Sequence, residues 1–403
     1  MKEALLSVGE AERIMLRHTR DWGTETLPLA ACTGRIYAGA PLRADRPLPP
    51  YHRVSMDGIA LRHADLGSQP LAVQATQAAG DPPLTLAGGS TCIEVMTGAV
   101  LPHGADTVIR YEDLQLGEGT ARLLPGVAIV EGKNIHRRGT DCAAGTVLVQ
   151  PGERLGAGHL SIAASTGHGS LVVKRLPRTL ILTTGDELVP IEQKPLPHQI
   201  RRSNGVMLQS ALTTWGLSCD TLHLPDDYAK LLLQIKKALA EYDLILCSGG
   251  VSKGKFDYLP RVLAECGVQR QFHRLAQRPG KPFWFGAPPG AVVFALPGNP
   301  VSSLVCAHRY VRPYVRACLG AAPVPQYARL TTAFQFIPSL TYFLQVAVRT
   351  DDQGRIVARP FVGKGSGDFA NLRHATGVLE LPAGETTFAA GAVFRYWGYG
   401  TAR

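Results

Sequence analysis

The chain lacks most of the short signatures that assign a chemistry at once. None of its eight cysteines (positions 32, 92, 142, 219, 247, 266, 306 and 318) forms a Cys-x-x-Cys or lies at zinc-site spacing from a histidine, which argues against a structural zinc module. Most sit in apolar context and read as free buried thiols. The Gly-x-x-x-x-Gly-Lys-Ser/Thr order of a P-loop is missing. No apolar stretch approaches the ~20 residues that span a bilayer, so no membrane partner is expected. The first ten residues carry Glu3 and Glu10 where a secretion signal is apolar, and a cytoplasmic location is the expectation. Helix-turn-helix, RNP and zinc-finger patterns are also absent. A net charge of +10, dispersed along the chain, therefore suits a small phosphorylated or oxyanionic ligand better than nucleic acid.

What is present is a long globular chain. Its 403 residues are enough for two to four domains, and 45% hydrophobic with 18% charged residues is not a disordered composition. Ser7 to Glu10 has capping-box form, and Ala11, Ile14, Met15 and His18 follow at helical spacing, predicting a helix that ends near Trp22-Gly23. A short strand over residues 27–31 and a helical turn over 34–38 are expected next. Prolines 47, 49 and 50 lead to Ser55-Met-Asp57-Gly58, a turn before a strand. Short β-like runs at 71–74, 92–96, 107–110 and 121–124 suggest a small β module, followed by a β run at 145–149 and a helix over 156–165.

From Arg178 the pattern becomes alternating. Strands are expected at 179–183, 217–224, 243–248, 268–274 and 291–296, with helices at 203–212, 228–240, 259–266 and 300–315 between and after them. That alternation predicts a parallel sheet covered on both faces. Beyond Pro323 and Pro325, runs at 329–336, 343–349 and 356–359 read as antiparallel strands of a small C-terminal β domain.

The strongest stretch runs from Asp243 to Tyr258. A buried strand leads into Ser248-Gly249-Gly250, then Ser252, Lys253, Lys255 and Asp257. Glycines there let backbone N–H groups face a ligand, with hydroxyls and cations alongside. Polar loops follow other strands too: Gly185-Asp186-Glu187, Asp226-Asp227, Arg278 to Lys281, and Pro297 to Asn299. In open α/β sheets the ligand crevice lies at the strands' carboxyl ends. Glu187 and Asp257 could share a Mg²⁺, while Arg278 and Lys281 could neutralise an anion. The plainer alternatives are an ordinary turn for the glycine loop, an N-cap for one of Asp226 and Asp227, a turn for Asp57, and solvated cations for Arg278 and Lys281.

Six motifs then carry a resemblance. Ser55-Met-Asp-Gly58, Met96-Thr-Gly-Ala99, Thr184-Gly-Asp-Glu-Leu188, Ser248-Gly-Gly-Val-Ser252, Pro279-Gly-Lys-Pro282 and Leu296-Pro-Gly-Asn-Pro-Val-Ser302 occur in this order over essentially the whole chain. Together they resemble the MoeA family of molybdopterin molybdenumtransferases, related to the gephyrin E domain. The resemblance implies an α/β plus β multidomain fold: an elongated domain I in two segments (1–46 and 142–176), an inserted β domain II (47–141), a MogA-like parallel α/β domain III (177–320) and a C-terminal β-barrel domain IV (321–403). It implies a homodimer that inserts molybdate into adenylylated molybdopterin with Mg²⁺ and releases AMP. Its implied partners are a molybdopterin adenylyltransferase and molybdoenzymes. By position, Asp57, Thr97 and Asp141 match family functional residues in the β lobe. Glu187, Asp226 or Asp227, Asp257, Arg278, Lys281, Pro297 and Pro300 match those of domain III, around the loop of Ser248, Gly249, Gly250 and Ser252.

Some positions depart from the family pattern. Tyr51-His-Arg-Val-Ser-Met-Asp-Gly-Ile59 stands where Phe-Asp-Asn-Ser-Ala-Met-Asp-Gly-Tyr is common. Arg202 replaces an acid, Lys253 and Lys255 add charge, and Ala370 and Asn371 stand where serines are frequent. Two other readings compete with the insertase: a non-catalytic pterin carrier on the same fold, and a nucleotide-processing enzyme sharing only the MogA-like domain. The Asp57 and Thr97 motifs argue against the latter, which needs no β lobe.

Overall fold

A computed structural model describes residues 5–251, 258–361 and 369–400. Chain contacts divide it into a larger unit (residues 1–38, 152–156 and 170–403) and a smaller one (39–151 and 157–169).

In the larger unit the capping box is realised. Ser7 accepts the Glu10 N–H, the Glu10 carboxylate accepts the Ser7 N–H, and the helix Val8–Leu16 begins there. It stops at Leu16 rather than near Trp22-Gly23, because the chain turns so that the Arg20 N–H meets Cys318 Sγ at 3.3 Å. The next strand is Thr24–Pro28, earlier than the 27–31 reading, and Leu29–Ala31 forms a 3₁₀ turn. Residues 34–38 are extended, not helical, since Ile36 bridges to Arg154 and Tyr37 to Val173. The partner strand Ser170–Lys174 has no counterpart in the sequence reading.

The alternating region builds a six-stranded sheet in the order Asp220–Leu224, Thr179–Thr184, Leu244–Ser248, Val292–Leu296, Trp284–Gly286, Arg270–His273. The first four strands are parallel; the last two pair antiparallel. Residues 274–283 join those two without a crossover helix, a connection that suits antiparallel neighbours. Along Leu244–Ser248 alternate side chains enter two cores. Leu244 and Leu246 pack with Phe294, Val305 and Tyr310, whereas Ile245 and Cys247 pack with Leu231, Ile235 and Val262. Burial on both faces is why this strand reads as an unbroken apolar run. It also pushes the Cys247 thiol up to about 12, leaving it an inert core residue.

After the last parallel strand the chain is helical over Pro300–Cys306, passes through a π-helical segment Ala307–Val311, and ends with Arg312–Cys318. The C-terminal strands close on themselves: Thr341–Thr350, Ile356–Pro360, Gln326–Leu330, Val393–Gly398, Gly377–Leu381 and back to Thr341–Thr350. Only the Gln326–Leu330 and Ile356–Pro360 pair is parallel within that ring. The α/β plus β multidomain class is therefore observed, with a closed C-terminal barrel.

The smaller unit holds a second six-stranded sheet, ordered Thr107–Arg110, Gly58–Leu61, Thr91–Val95, Leu71–Gln77, Thr120–Leu123, Leu114–Gly117. Gly58 lies so close to its neighbour that a Cβ there would stand 1.9 Å from the Ile109 carbonyl oxygen. Gly58→Ala is accordingly expected to destabilise the protein by more than ~3 kcal/mol in chemical denaturation. By contrast, Gly9 is exposed in the first helix with open space around it, and Gly9→Ala should stabilise by ~0.5–1 kcal/mol. Equal effects in the two variants would contradict this packing.

Candidate functional site

Parallel pairing sets the strand ends level. Thr183 lies beside Ser248, Ser248 beside Leu296, and Thr184 beside Leu224. Trp284 pairs with Ala295 and His273 with Trp284, so the 274–283 loop leaves from the same edge. The sheet therefore brings five candidate loops to one edge: Gly185 to Glu187, Asp226-Asp227, Ser248 to Gly250, Arg278 to Lys281, and Pro297 to Pro300.

Backbone conformation then shapes the loops. Gly249 and Gly250 have φ of +98° and +67°, and a Cβ on Gly249 would stand 2.7 Å from the Thr184 carbonyl oxygen. Only glycine tolerates both conditions, and the Gly249 N–H turns back to the Leu296 carbonyl at 3.4 Å, tying this loop to the neighbouring strand. Gly298 closes against it, its Cβ direction 3.8 Å from Gly249 Cα. Asn204 fastens the two loops together: its Nδ2 donates to Ser248 Oγ at 2.9 Å and to the Gly298 carbonyl at 2.8 Å. Asn204 Oδ1 and Thr184 Oγ1 are buried there without a hydrogen-bond partner. From the sequence Asn204 stands only at a helix start, in the Ser203-Asn-Gly205 context.

The acids divide by role. Asp227 caps the helix Tyr228–Glu241, accepting the Lys230 N–H at 3.0 Å, so one of the two aspartates is a cap as the plainer reading allowed. The Asp226 N–H donates to Asp186 Oδ1 at 3.1 Å, tying two loops. Gly185 leaves room for the exposed Glu187 side chain, whose carboxylate oxygen occupies space 2.5 Å from where a Cβ would stand. Asp257, Ser252, Lys253 and Lys255 lie outside the described residues. No group of three His, Cys, Asp or Glu positioned for a metal exists among the described ones.

Pro297 and Pro300 bracket a turn in which Asn299 caps the following helix, its Oδ1 accepting the Ser302 N–H at 3.1 Å. Arg278 is exposed, and its strand Gln277–Arg278 pairs with Thr341 and Tyr342. Lys281 is half-buried. An apolar groove of about 490 Å³ adjoins Asn204, lined by Ser203, Met207, Leu304, Phe369, Leu372 and Arg373, with Ala370. Arg202 instead lines a smaller hollow of about 240 Å³ with Thr183 and His223. Burial, then the Arg202 charge, holds His223 below the usual histidine range.

Asp57, Thr97 and Asp141 belong to the smaller unit. Asp57 Oδ1 accepts the Thr97 N–H at 2.6 Å, and Asp141 Oδ1 lies 2.9 Å from His136 Nε2, whose Nδ1 lies 3.0 Å from Arg53. The Thr97 backbone N–H, then its side chain, holds the Asp57 carboxyl below the usual range. An NMR titration should find its midpoint depressed, and Thr97→Val should raise it only partly because the N–H remains. The stabilising contribution of that bond is present above the unfolded carboxyl pKa and lost as pH falls through the folded one. An unshifted midpoint would remove the contact.

Comparison with known proteins identifies the family. Residues 6–167 match the family model described as MoeA N-terminal region (domain I and II), 180–317 a probable molybdopterin binding domain, and 327–398 the MoeA C-terminal region (domain IV). The molybdopterin molybdenumtransferase of Synechocystis sp. is 40% identical over 400 residues, covering 98% of this chain and 100% of that one. That of Staphylococcus epidermidis is 30% identical over 403 residues, covering 97% and 95%. The crystal structure of a molybdopterin biosynthesis MoeA protein from Pyrococcus horikosii superposes with a TM-score of 0.81 at 28% identity, covering 98% of this chain and 99% of that one.

Proposed function

The chain belongs to the MoeA family of molybdopterin molybdenumtransferases, and from that premise we propose that it inserts molybdate into adenylylated molybdopterin with release of AMP. The observation that carries this reading is the meeting of the Ser248 to Gly250 loop with Glu187, Asn204 and Gly298 at one sheet edge. Hydrolysing a phosphoanhydride requires charge stabilisation on phosphate oxygens, and Lys281 and Arg278 beside the glycine loop suit that need. Molybdate, a tetrahedral oxyanion and here a substrate, calls for the same donors. The apolar groove beside Asn204 is proposed to receive the flat pterin ring.

Mg²⁺ takes one or two carboxylates and completes its shell with water and substrate phosphate oxygens. The exposed carboxylates of Asp186 and Glu187 at the loop match that donor set. Glu187, with Asp257, is proposed to hold the ion, which supplies charge neutralisation at the phosphates when bound. Asp226 orders the loop through Asp186, and Pro297 and Pro300 preset the turn that carries Gly298. Asp57, Thr97 and Asp141 are proposed as a second functional group in the β lobe. The four-domain division, a homodimeric state, a cytoplasmic location, and exchange with a molybdopterin adenylyltransferase and molybdoenzymes complete the proposal. Among the described residues no helix is long and apolar enough to cross a membrane.

The deciding experiment measures AMP released from adenylylated molybdopterin with and without molybdate and Mg²⁺. Wild type should release AMP only with molybdate present, and Glu187→Ala should slow release by ~100-fold or more, the order expected for losing a group that stabilises transferred phosphate. Tight pterin binding without release would sink the insertase reading in favour of a carrier. Asp57→Asn tests the β-lobe group separately.

A further inference from the structure

Three arginines meet in one corner of the larger unit with no acid to offset them. Arg312 and Arg316 are four residues apart on the helix Arg312–Cys318, so their side chains leave the same face. Arg154 comes from the 152–156 segment, where a Cβ on Gly152 would stand 3.9 Å from the carbonyl oxygen of Gly320 at that helix's end. Each arginine donates to a main-chain carbonyl: Arg154 Nε to Gly34 at 3.2 Å, Arg312 Nη1 to Gly398 at 3.3 Å, and Arg316 Nη2 to Ala322 at 2.8 Å. None of the three enters an ion pair among the described residues. Burial and then the neighbouring arginine charges hold Arg312 and Arg316 below the usual arginine range.

Burial keeps the next side chain inward, His308, neutral, lowering its pKa to about 3. His308, one turn before Arg312, is 1% exposed, and neither ring nitrogen has a hydrogen-bond partner. The Gly398 peptide approaches the ring without reaching hydrogen-bond geometry. Trp215 stands edge-on to this ring at 5.2 Å and Tyr399 lies 5.0 Å away; Trp215 Nε1 and Tyr399 OH are themselves buried and unpartnered. Arg316 Nε is another such atom. An unpaired buried polar atom is costly, because it forfeits its hydrogen bonds to water. Several donors in this corner thus lack an acceptor, and the Arg312 and Arg316 charges repel each other.

We infer that Arg154, Arg312 and Arg316 form an anion site for a small tetrahedral oxyanion of the phosphate class, with His308, Trp215 and Tyr399 as its polar inner wall. The site is separate from the strand-end loops. Arg312 is twelve residues along the helical run from Pro300, roughly 18 Å at the usual rise. Its filling relieves the repulsion between Arg312 and Arg316 and locks the last helix to the final strand through Gly398. It is thus a place where anion concentration sets the rigidity of the larger unit.

Calorimetric titration of the full-length protein with inorganic phosphate at constant ionic strength tests this. Arg316→Gln and the exposed Arg154→Gln should each weaken phosphate binding by about tenfold, as for loss of a charge-assisted bond. Lys281→Gln, in the strand-end loops, should leave this binding event unchanged. In phosphate-free buffer Arg316→Gln should melt no lower than wild type, because a repulsive i,i+4 pair has been removed. Failure of wild type to bind phosphate overturns the inference. So does equal affinity in all variants, or weakening by Lys281→Gln alone, which would place the anion at the strand-end loops.

Discussion

Parallel pairing of Thr179–Thr184, Leu244–Ser248 and Val292–Leu296 is the constraint on which the candidate site depends. Hydrogen bonding in register puts the last residue of each strand at one level, so every following loop opens on one edge. A slip of one residue would send Leu244 and Leu246 into the core that now takes Ile245 and Cys247. Both faces are apolar and filled with different partners, which makes the register costly to change. Precision at the loops is therefore inherited from packing beneath them.

Contacts that admit no side chain refine that placement. Gly249, Gly250 and Gly298 let two loops touch, and Asn204 joins them with two hydrogen bonds from one amide. Elsewhere in the same unit Arg309 plays a binding role of another kind. Its buried guanidinium reaches Glu12 of the first helix at 2.9 Å and Glu380 of the barrel at 2.9 Å, and lies 4.5 Å from the Trp397 ring. Removing either acid would strand a buried charge, which is far costlier than losing an exposed pair. The helix, the π-helical segment and the barrel are thereby held as one body, and the 274–283 loop is stitched to the barrel through Tyr342.

Residues whose partners are local were legible. The Ser7 and Glu10 capping box, the Thr107–Arg110 strand and the helix Tyr228–Glu241 each follow from spacing within a few residues. Ile36 and Tyr37 were misread as helical because their bridges go to Arg154 and Val173, more than a hundred residues away. Trp284–Gly286 escaped notice because three buried residues between loops carry no periodicity. Of the site, the loops were visible as glycine, acid and cation clusters after strands, but Asn204 and the unpaired Thr184 hydroxyl were not.

The amino-acid order by itself determined most of the strands and helices, the glycine-rich loop after Ser248, and, through six motifs in sequence, the family. Those are consequences of local sterics, capping and apolar periodicity, which act over a few residues. Only the tertiary structure decided that Asp227 is spent on a helix cap while Asp226 ties two loops. It alone decided that Asn204 spans Ser248 and Gly298, and that Arg154 joins Arg312 and Arg316. Such outcomes rest on which distant surfaces pack together, and burial makes the same side chain a solvated charge in one place and an unpaired donor in another.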